Sequence, residues 1–197
     1  MFFDPLDITG AVLVRIDRKS DQRGYFARTF CSREFSAHRL PPVAVQASIS
    51  YNAHGGTVRG MHFQWPPSRE GKLVRCVRGR LWDVLLDLRP KSPSYLRHQA
   101  LVLDQDNRDA VYIPPGVAHG FQTLVDETEV FYQMTDYFAA ELQAGLRWND
   151  PQFGIPWPLP ATVISERDES LPDFVRAEFE AELSRRSVAS SEESIPT

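Results

Sequence analysis

Short apolar segments rich in β-branched residues recur between residues 11 and 135, and turn residues separate them at close intervals. One such segment, Lys72–Arg78, ends at Gly79, and the next begins at Leu81, which is the pattern of a hairpin. The predicted strands are 11–16, 43–51, 72–78, 81–88, 99–103, 110–113, 120–124 and 129–135. Strands this short and this closely spaced predict an all-β fold, either an antiparallel sandwich or a barrel.

Helical patterning occurs in two places only. Residues 32–39 have room for one or two turns, and residues 172–186 have the apolar spacing of an amphipathic C-terminal helix. Residues 187–197 are rich in Ser and Glu and predict a disordered tail. The 197 residues have the size of one domain, which we assign to residues 1–175.

The charge balance and the cysteines exclude several classes of protein. Lys and Arg number 22 and Asp and Glu 26, and this net charge of −4 argues against binding to nucleic acid or to anionic membranes. No run of about 20 apolar residues predicts a membrane span, and residues 1–7 do not resemble a secretory signal. Cys31 and Cys76 lie far apart and outside any CxxC pattern, so we expect reduced packing residues in a cytoplasmic protein.

Two of the five histidines, His62 and His119, lie in segments where a β-rich pocket would place a functional group. A histidine considered alone is more often a packed or surface residue. A metal site on a β-barrel typically needs two or three histidines and a carboxylate, with two ligands close together on a strand. No HxH motif occurs in the sequence, which argues against a metal.

Proton transfer suits the polar residues better than metal binding does. A histidine supported by a carboxylate abstracts a proton near neutral pH if another group stabilises the resulting charge. Lys72 begins a strand and can direct an ammonium at an oxyanion, although an exposed strand lysine is an equal alternative. Tyr132 alternates with Val130 and Met134, so it is either a core residue or a buried proton donor. An arginine next to a glycine suits phosphate binding, as found at Arg23 and Arg59.

Taken together and in order, these segments resemble the dTDP-4-dehydrorhamnose 3,5-epimerase family. Among them are Arg59-Gly60-Met61-His62-Phe63-Gln64 and Ser165-Glu166-Arg167-Asp168. The other matching segments are 21–26, 71–76, 83–89, 92–95, 112–121, 147–151 and 154–158. The resemblance extends from about residue 4 to residue 175.

The resemblance implies a jelly-roll, cupin-like β-barrel that acts as a homodimer without metal or cofactor. The family epimerises a nucleotide-linked 4-keto-6-deoxy sugar at carbons 3 and 5, most simply converting dTDP-4-dehydro-6-deoxy-D-glucose to dTDP-4-dehydro-L-rhamnose. By motif position, the implied catalytic residues are the base His62, its orienting carboxylate Asp168, the enolate-stabilising Lys72 and the acid Tyr132. The implied substrate contacts are His119 for the sugar and Arg23 and Arg59 for the diphosphate.

The sequence departs from the family pattern mainly where substrate is recognised. Gln46-Ala47-Ser48 replaces Gln-Asp-Asn, and Phe138 replaces a tyrosine on the strand face of Tyr132. Arg28 and Gln143 each stand where a glutamate is usual. We therefore expect intact proton chemistry, with Gln46, Ser48 and Phe138 at a substrate site whose specificity or regiochemistry differs.

Three alternatives to the double epimerase follow from the same residues. The first is an enzyme on the same scaffold that epimerises one carbon only or isomerises a ketosugar. The second is a non-catalytic barrel that binds a sugar nucleotide, which has no need of a tyrosine acid opposite a histidine base. The third is a metal-dependent cupin, which the histidine spacing disfavours.

Overall fold

The computed structural model describes residues 1–192, and short β-strands are its main regular secondary structure. The strands are β1 (Phe2–Pro5), β2 (Val12–Arg15), β3 (Arg18–Asp21), β4 (Gly24–Ala27), β5 (Gln46–Asn52), β6 (Val58–Gln64), β7 (Lys72–Arg78), β8 (Arg80–Asp87), β9 (His98–Asp104), β10 (Ala110–Ile113), β11 (Val117–Thr123), β12 (Thr128–Met134) and β13 (Gln143–Gly145). The helices are α1 (Ser32–Ala37), α2 (Glu166–Glu169) and α3 (Arg176–Glu192), with a 3-10 turn at Ala140–Leu142.

Two antiparallel sheets make up the body of the fold. The first has the order β1-β2-β10-β7-β12-β5, and the second has the order β13-β6-β11-β8-β9. Strands β3 and β4 form a separate hairpin. The all-β prediction is confirmed, and the arrangement is that of a jelly roll. Over residues 1–192 the hydrogen bonds leave two sheets facing each other and do not close them into one barrel.

The core between the sheets follows from the period-two alternation of side chains. On β8, Leu81 and Leu85 face inward and are fully buried, and on β7 Val74 and Cys76 do the same from the first sheet. Burial raises the pKa of the Cys76 thiol to about 12. Both cysteines are free, as predicted.

The C-terminal part of the chain covers the outer face of the second sheet. Phe174 and Phe179 pack with Phe153 against Met61 and Phe63 of β6. Helix α3 begins at Arg176 and continues to Glu192, so it takes in residues that the sequence assigned to a disordered tail. The rest of that predicted tail, 193–197, lies outside the described residues. No helix in the described part of the chain has the length and apolar character to cross a membrane.

Each predicted strand is present, with bounds shifted by a few residues. The sequence missed β1, β3, β4, β6 and β13. Strand β6 was missed because Gly60 interrupts its apolar pattern. A side chain is excluded there, because a Cβ on Gly60 would lie 2.5 Å from the Cα of Gly120. This close contact joins β6 to β11, and both strands carry a candidate histidine.

Candidate active site

A cavity of about 670 Å³ opens between the two sheets, and most of the predicted site residues line it. From the first sheet it receives Gln46, Ser48, Lys72 and Tyr132, and from the second it receives Arg59, His62 and His119. Phe138, which follows β12, also lines the cavity. Residues distant in sequence therefore meet because the sheets face each other.

His62 and Asp168 form a hydrogen-bonded pair at the wall of this cavity. His62 Nε2 lies 2.7 Å from Asp168 Oδ1, while Asp168 Oδ2 accepts a hydrogen bond from the Gly60 N–H at 3.1 Å. Burial alone would raise the pKa of Asp168, but the bonds from His62 and Gly60 outweigh it and lower the pKa below its usual value. An ionised Asp168 accepts the proton on Nε2, and in the neutral ring this tautomer places the lone pair on Nδ1.

The position of Asp168 depends on the short helix α2. The Ser165 side chain caps this helix and accepts a hydrogen bond from the Asp168 N–H at 3.1 Å. The Asp168 side chain is only 6% exposed, whereas that of His62 is 29% exposed. The carboxylate is thus behind the imidazole, and the imidazole faces the cavity.

His119 forms a second histidine–carboxylate pair, with Asp83. Its Nε2 lies 2.8 Å from Asp83 Oδ2, and Asp83 is fully buried. The other oxygen, Oδ1, has no hydrogen-bond partner among residues 1–192. Asp83 has no role predicted from the sequence, although its position on β8 between Leu81 and Leu85 indicates a carboxylate that faces the core. No group of three or more His, Cys, Asp or Glu residues in the described chain is arranged to hold a metal ion.

Tyr132 faces the two histidines from the first sheet. Tyr132 packs against the inter-sheet core with Val130, as expected from the alternation of side chains along β12. The centroid of the Tyr132 ring lies 6.3 Å from that of the His119 ring. Burial raises the pKa of Tyr132 far above its usual range, and the negative charge of Asp83 raises it further. The hydroxyl therefore carries its proton at neutral pH.

Lys72 extends from the start of β7 into the cavity, where its ammonium is paired. Its Nζ lies 3.2 Å from Glu70 Oε1, and the two side chains are 20% and 6% exposed. The prediction of a lysine in the site agrees with this position, and the alternative of an exposed strand lysine does not. Glu70 is not among the site residues predicted from the sequence, because it lies in a loop before β7 and no periodic pattern marks it.

The two candidate diphosphate ligands occupy different places. The Arg59 guanidinium is in the cavity, and its Nε donates to Asn52 Oδ1 at 2.8 Å. Arg23 is at the tip of the β3–β4 hairpin, where its side chain is 90% exposed and pairs with Asp21 at 2.6 Å. Within one chain, therefore, the structure does not bring Arg23 to the cavity, contrary to the expected substrate contact.

Three of the four departures from the family pattern are at the cavity. Ser48 lies opposite Tyr132 on the neighbouring strand, and Gln143 also lines the wall. The N–H of Phe138 donates to Gln46 Oε1 at 2.7 Å, which fixes the backbone at the rim. The fourth, Arg28, pairs with Glu34 at 3.2 Å and does not line the cavity.

Comparison with known proteins gives one consistent result. The family model described as dTDP-4-dehydrorhamnose 3,5-epimerase matches residues 5–176. A dTDP-4-dehydrorhamnose 3,5-epimerase of Sinorhizobium fredii is 43% identical over 175 residues, which cover 88% of this chain and 90% of the relative.

Solved structures agree with the sequence comparison. A dTDP-4-dehydrorhamnose 3,5-epimerase from Bacillus anthracis, crystallised with TDP and PPi bound, superposes with a TM-score of 0.85 at 34% identity, covering 88% of this chain and 99% of that one. A 3'-monoepimerase from Streptomyces bikiniensis, in complex with dTDP-quinovose, superposes with a TM-score of 0.82 at 28% identity, covering 94% and 98%. The same fold therefore carries both double and single epimerases.

Proposed function

The chain belongs to the dTDP-4-dehydrorhamnose 3,5-epimerase family and is an isomerase, and we propose that it epimerises dTDP-4-dehydro-6-deoxy-D-glucose at carbons 3 and 5 to give dTDP-4-dehydro-L-rhamnose. One observation carries the proposal. His62, paired to an ionised Asp168, and a protonated Tyr132 enter one cavity from opposite sheets. Epimerisation needs this arrangement, because a proton leaves one face of a carbon and another proton arrives on the opposite face.

The first step is removal of the proton from a carbon beside the ketone. His62 Nδ1 takes it, and the Asp168 carboxylate stabilises the imidazolium that forms. The electron pair of the C–H bond moves onto the ketone oxygen and gives an enolate. The Lys72 ammonium is the cation that stabilises this oxygen. The Tyr132 hydroxyl then gives its proton to the carbon from the other face, and solvent restores both residues. These steps use no cofactor.

The nucleotide part of the substrate is assigned from charge. Arg59 is held by Asn52 with its guanidinium in the cavity, which suits a diphosphate. His119, which Asp83 orients, is the proposed hydrogen-bond partner of a sugar hydroxyl. Gln46, Ser48 and Phe138 line the remaining wall and complete the proposed sugar and base site.

We also propose a homodimer in which Arg23 serves the partner's cavity. Strand β5 is at the edge of its sheet, and its outward residues Ile49 and Tyr51 are 62% and 51% exposed. Phe26, on the same hairpin as Arg23, is 78% exposed. We infer that these apolar side chains belong to the surface that a second copy of the chain covers. Mixed dimers of Arg23→Ala and His62→Asn subunits should regain activity that neither variant has alone, whereas a monomer in solution would contradict the assembly.

The unpaired cysteines agree with a reducing compartment, so we place the enzyme in the cytoplasm. The test of the reaction is an NMR time course with dTDP-4-dehydro-6-deoxy-D-glucose in heavy water. Deuterium entering carbons 3 and 5 supports the double epimerase, and no exchange with wild-type protein contradicts an epimerase of this sugar and leaves a binding role. His62→Asn is the control that must remove the exchange.

A single-carbon epimerase is the second candidate, because Phe138 gives the cavity rim no hydroxyl and a 3'-monoepimerase has the same fold. Exchange at one carbon only would support it, and a shift of the ketone along the sugar would identify a ketoisomerase. If the reaction stops at one carbon, Phe138→Tyr is the first variant to examine.

A further inference from the structure

The carboxylate of Glu70 lies inside the active-site cavity, yet no step of the proposed reaction uses it. Its side chain is 6% exposed, and Lys72 is its only charged partner within 4 Å in the described part of the chain. We propose that Glu70 is a positioning residue that holds the Lys72 ammonium where the enolate oxygen forms. This role rests on the proposed function, because it acts through the lysine of that reaction.

The backbone that carries Glu70 is fixed on both sides. The Glu70 N–H donates to Ser68 Oγ at 3.2 Å. The next residue, Gly71, donates to Thr135 Oγ1 at 2.8 Å and accepts from the Thr135 N–H at 2.9 Å. This loop is therefore attached to the end of β12 and presents the carboxylate in one direction.

The backbone of Lys72 is fixed as well, but its side chain is not. Lys72 lies in a central strand of the first sheet, between Ile113 and Met134 of the neighbouring strands. Beyond the Cα, its four-carbon stem carries a compact charge that many rotamers can place in different positions. A single strong acceptor selects among these rotamers before substrate arrives, and Glu70 is that acceptor.

The pairing leaves the ammonium able to act. A lysine ammonium has three N–H donors, and the ion pair with Glu70 Oε1 engages at most one of them. The other two remain for the ketone oxygen and its enolate. A buried carboxylate without a partner is costly, so the loop also depends on Lys72 for its own conformation.

Two variants separate positioning from charge. Glu70→Gln removes the negative charge but keeps a side-chain oxygen, an acceptor for the Lys72 ammonium at the same position. Glu70→Ala removes both. If Glu70 acts by positioning, the glutamine variant retains most of the activity and the alanine variant does not. If only the charge matters, both variants lose activity equally.

The experiment measures kcat, KM, the affinity for dTDP and thermal unfolding for wild type and both variants. Glu70→Ala should lower kcat about 10- to 100-fold, the range expected when a catalytic group is misplaced. Glu70→Gln should stay within about threefold of wild type, because its amide oxygen replaces the acceptor. The affinity for dTDP should not change, since dTDP has no ketone for Lys72 to bind. The matched controls are Glu141→Ala and Glu141→Gln, on an exposed glutamate that does not line the cavity.

Each outcome decides the proposal. Wild-type kcat in Glu70→Ala, or equal losses in both variants, overturns the positioning role while the epimerase function stands. A loss of kcat that occurs together with a lower unfolding temperature and weaker dTDP binding also overturns it, because that pattern is a structural effect. A wild-type protein that does not process the sugar overturns the proposed function, and the role of Glu70 with it.

Discussion

Replacing Asp168 by asparagine is expected to move the His62 proton to the wrong ring nitrogen. Asp168 Oδ2 accepts the Gly60 N–H at 3.1 Å, and this N–H is buried. An asparagine must keep its carbonyl oxygen at that position to satisfy the amide. Its NH₂ group then faces His62 Nε2, where the carboxylate oxygen was at 2.7 Å. His62 Nε2 must become an acceptor, so the ring carries its proton on Nδ1 and has no lone pair for the substrate.

Two costs add in this variant. The lost charge-assisted hydrogen bond to the imidazolium contributes about 1.5–3 kcal/mol. Restoring the productive tautomer requires turning the amide and leaving the Gly60 N–H unsatisfied, at about 1–3 kcal/mol. At about 1.4 kcal/mol for each factor of ten, the two costs lower kcat by about 10²- to 10⁴-fold.

The assay follows deuterium exchange and epimerisation by NMR at saturating substrate, with dTDP affinity measured separately. The matched control is Asp173→Asn, because Asp173 pairs with Arg147 in a half-exposed ion pair outside the cavity. That pair contributes about 0–1 kcal/mol, so this control should keep normal activity. If Asp168→Asn retains more than about a tenth of wild-type kcat, the activation free energy has risen by less than about 1.4 kcal/mol. That result would refute the tautomer argument.

Three further outcomes are expected. Tyr132→Phe should still exchange deuterium at the carbon that His62 reaches but should not invert it, and product formation by this variant would exclude the hydroxyl as the acid. Asp83→Asn should raise KM more than it lowers kcat, since it turns the ring of His119 without removing the base, and steady-state kinetics will separate the two constants. Burial alone would raise the pKa of Asp87, but hydrogen bonds from Arg89 and two serines outweigh it and lower the pKa. The ionised carboxylate therefore stabilises the fold at pH values above its unfolded pKa of about 3.9. That stability is lost as the pH falls through the lower folded pKa, and urea unfolding between pH 6 and 3 should show a steeper loss in wild type than in Asp87→Asn.

Most of the strands that the sequence predicted carry side chains into the core between the sheets, and the largely exposed edge strand β5 is the exception. Strand β7 carries Val74 and Cys76 inward, and β12 carries Val130, so burial and pattern agree. The strands that were not predicted from the sequence do not show this agreement between pattern and burial. Strand β6 contains Gly60, which serves the contact with Gly120, and the β3–β4 hairpin is largely exposed. A pattern of apolar residues indicates which strands are buried. It does not reveal a strand that depends on close backbone contact, such as β6, or an exposed strand, such as β3.

The same distinction applies to the site. Motif resemblance assigned roles to His62, Lys72, Tyr132 and Asp168, and all four side chains are at one cavity or behind its wall. It gave no role to Glu70, because the value of that carboxylate appears only when the loop is seen beside Lys72.

By itself, then, the sequence determined the class of fold, the positions of most core strands along the chain and the residue types that suit proton transfer. These depend on local periodicity and on segments that are contiguous in the chain. Only the tertiary structure decided which groups meet: that Asp83 supports His119, that Glu70 faces Lys72 and that Arg23 is outside its own chain's cavity. The physical reason is that hydrogen bonds and ion pairs act over a few ångströms in space, and the packing of two sheets brings together residues that the chain keeps far apart.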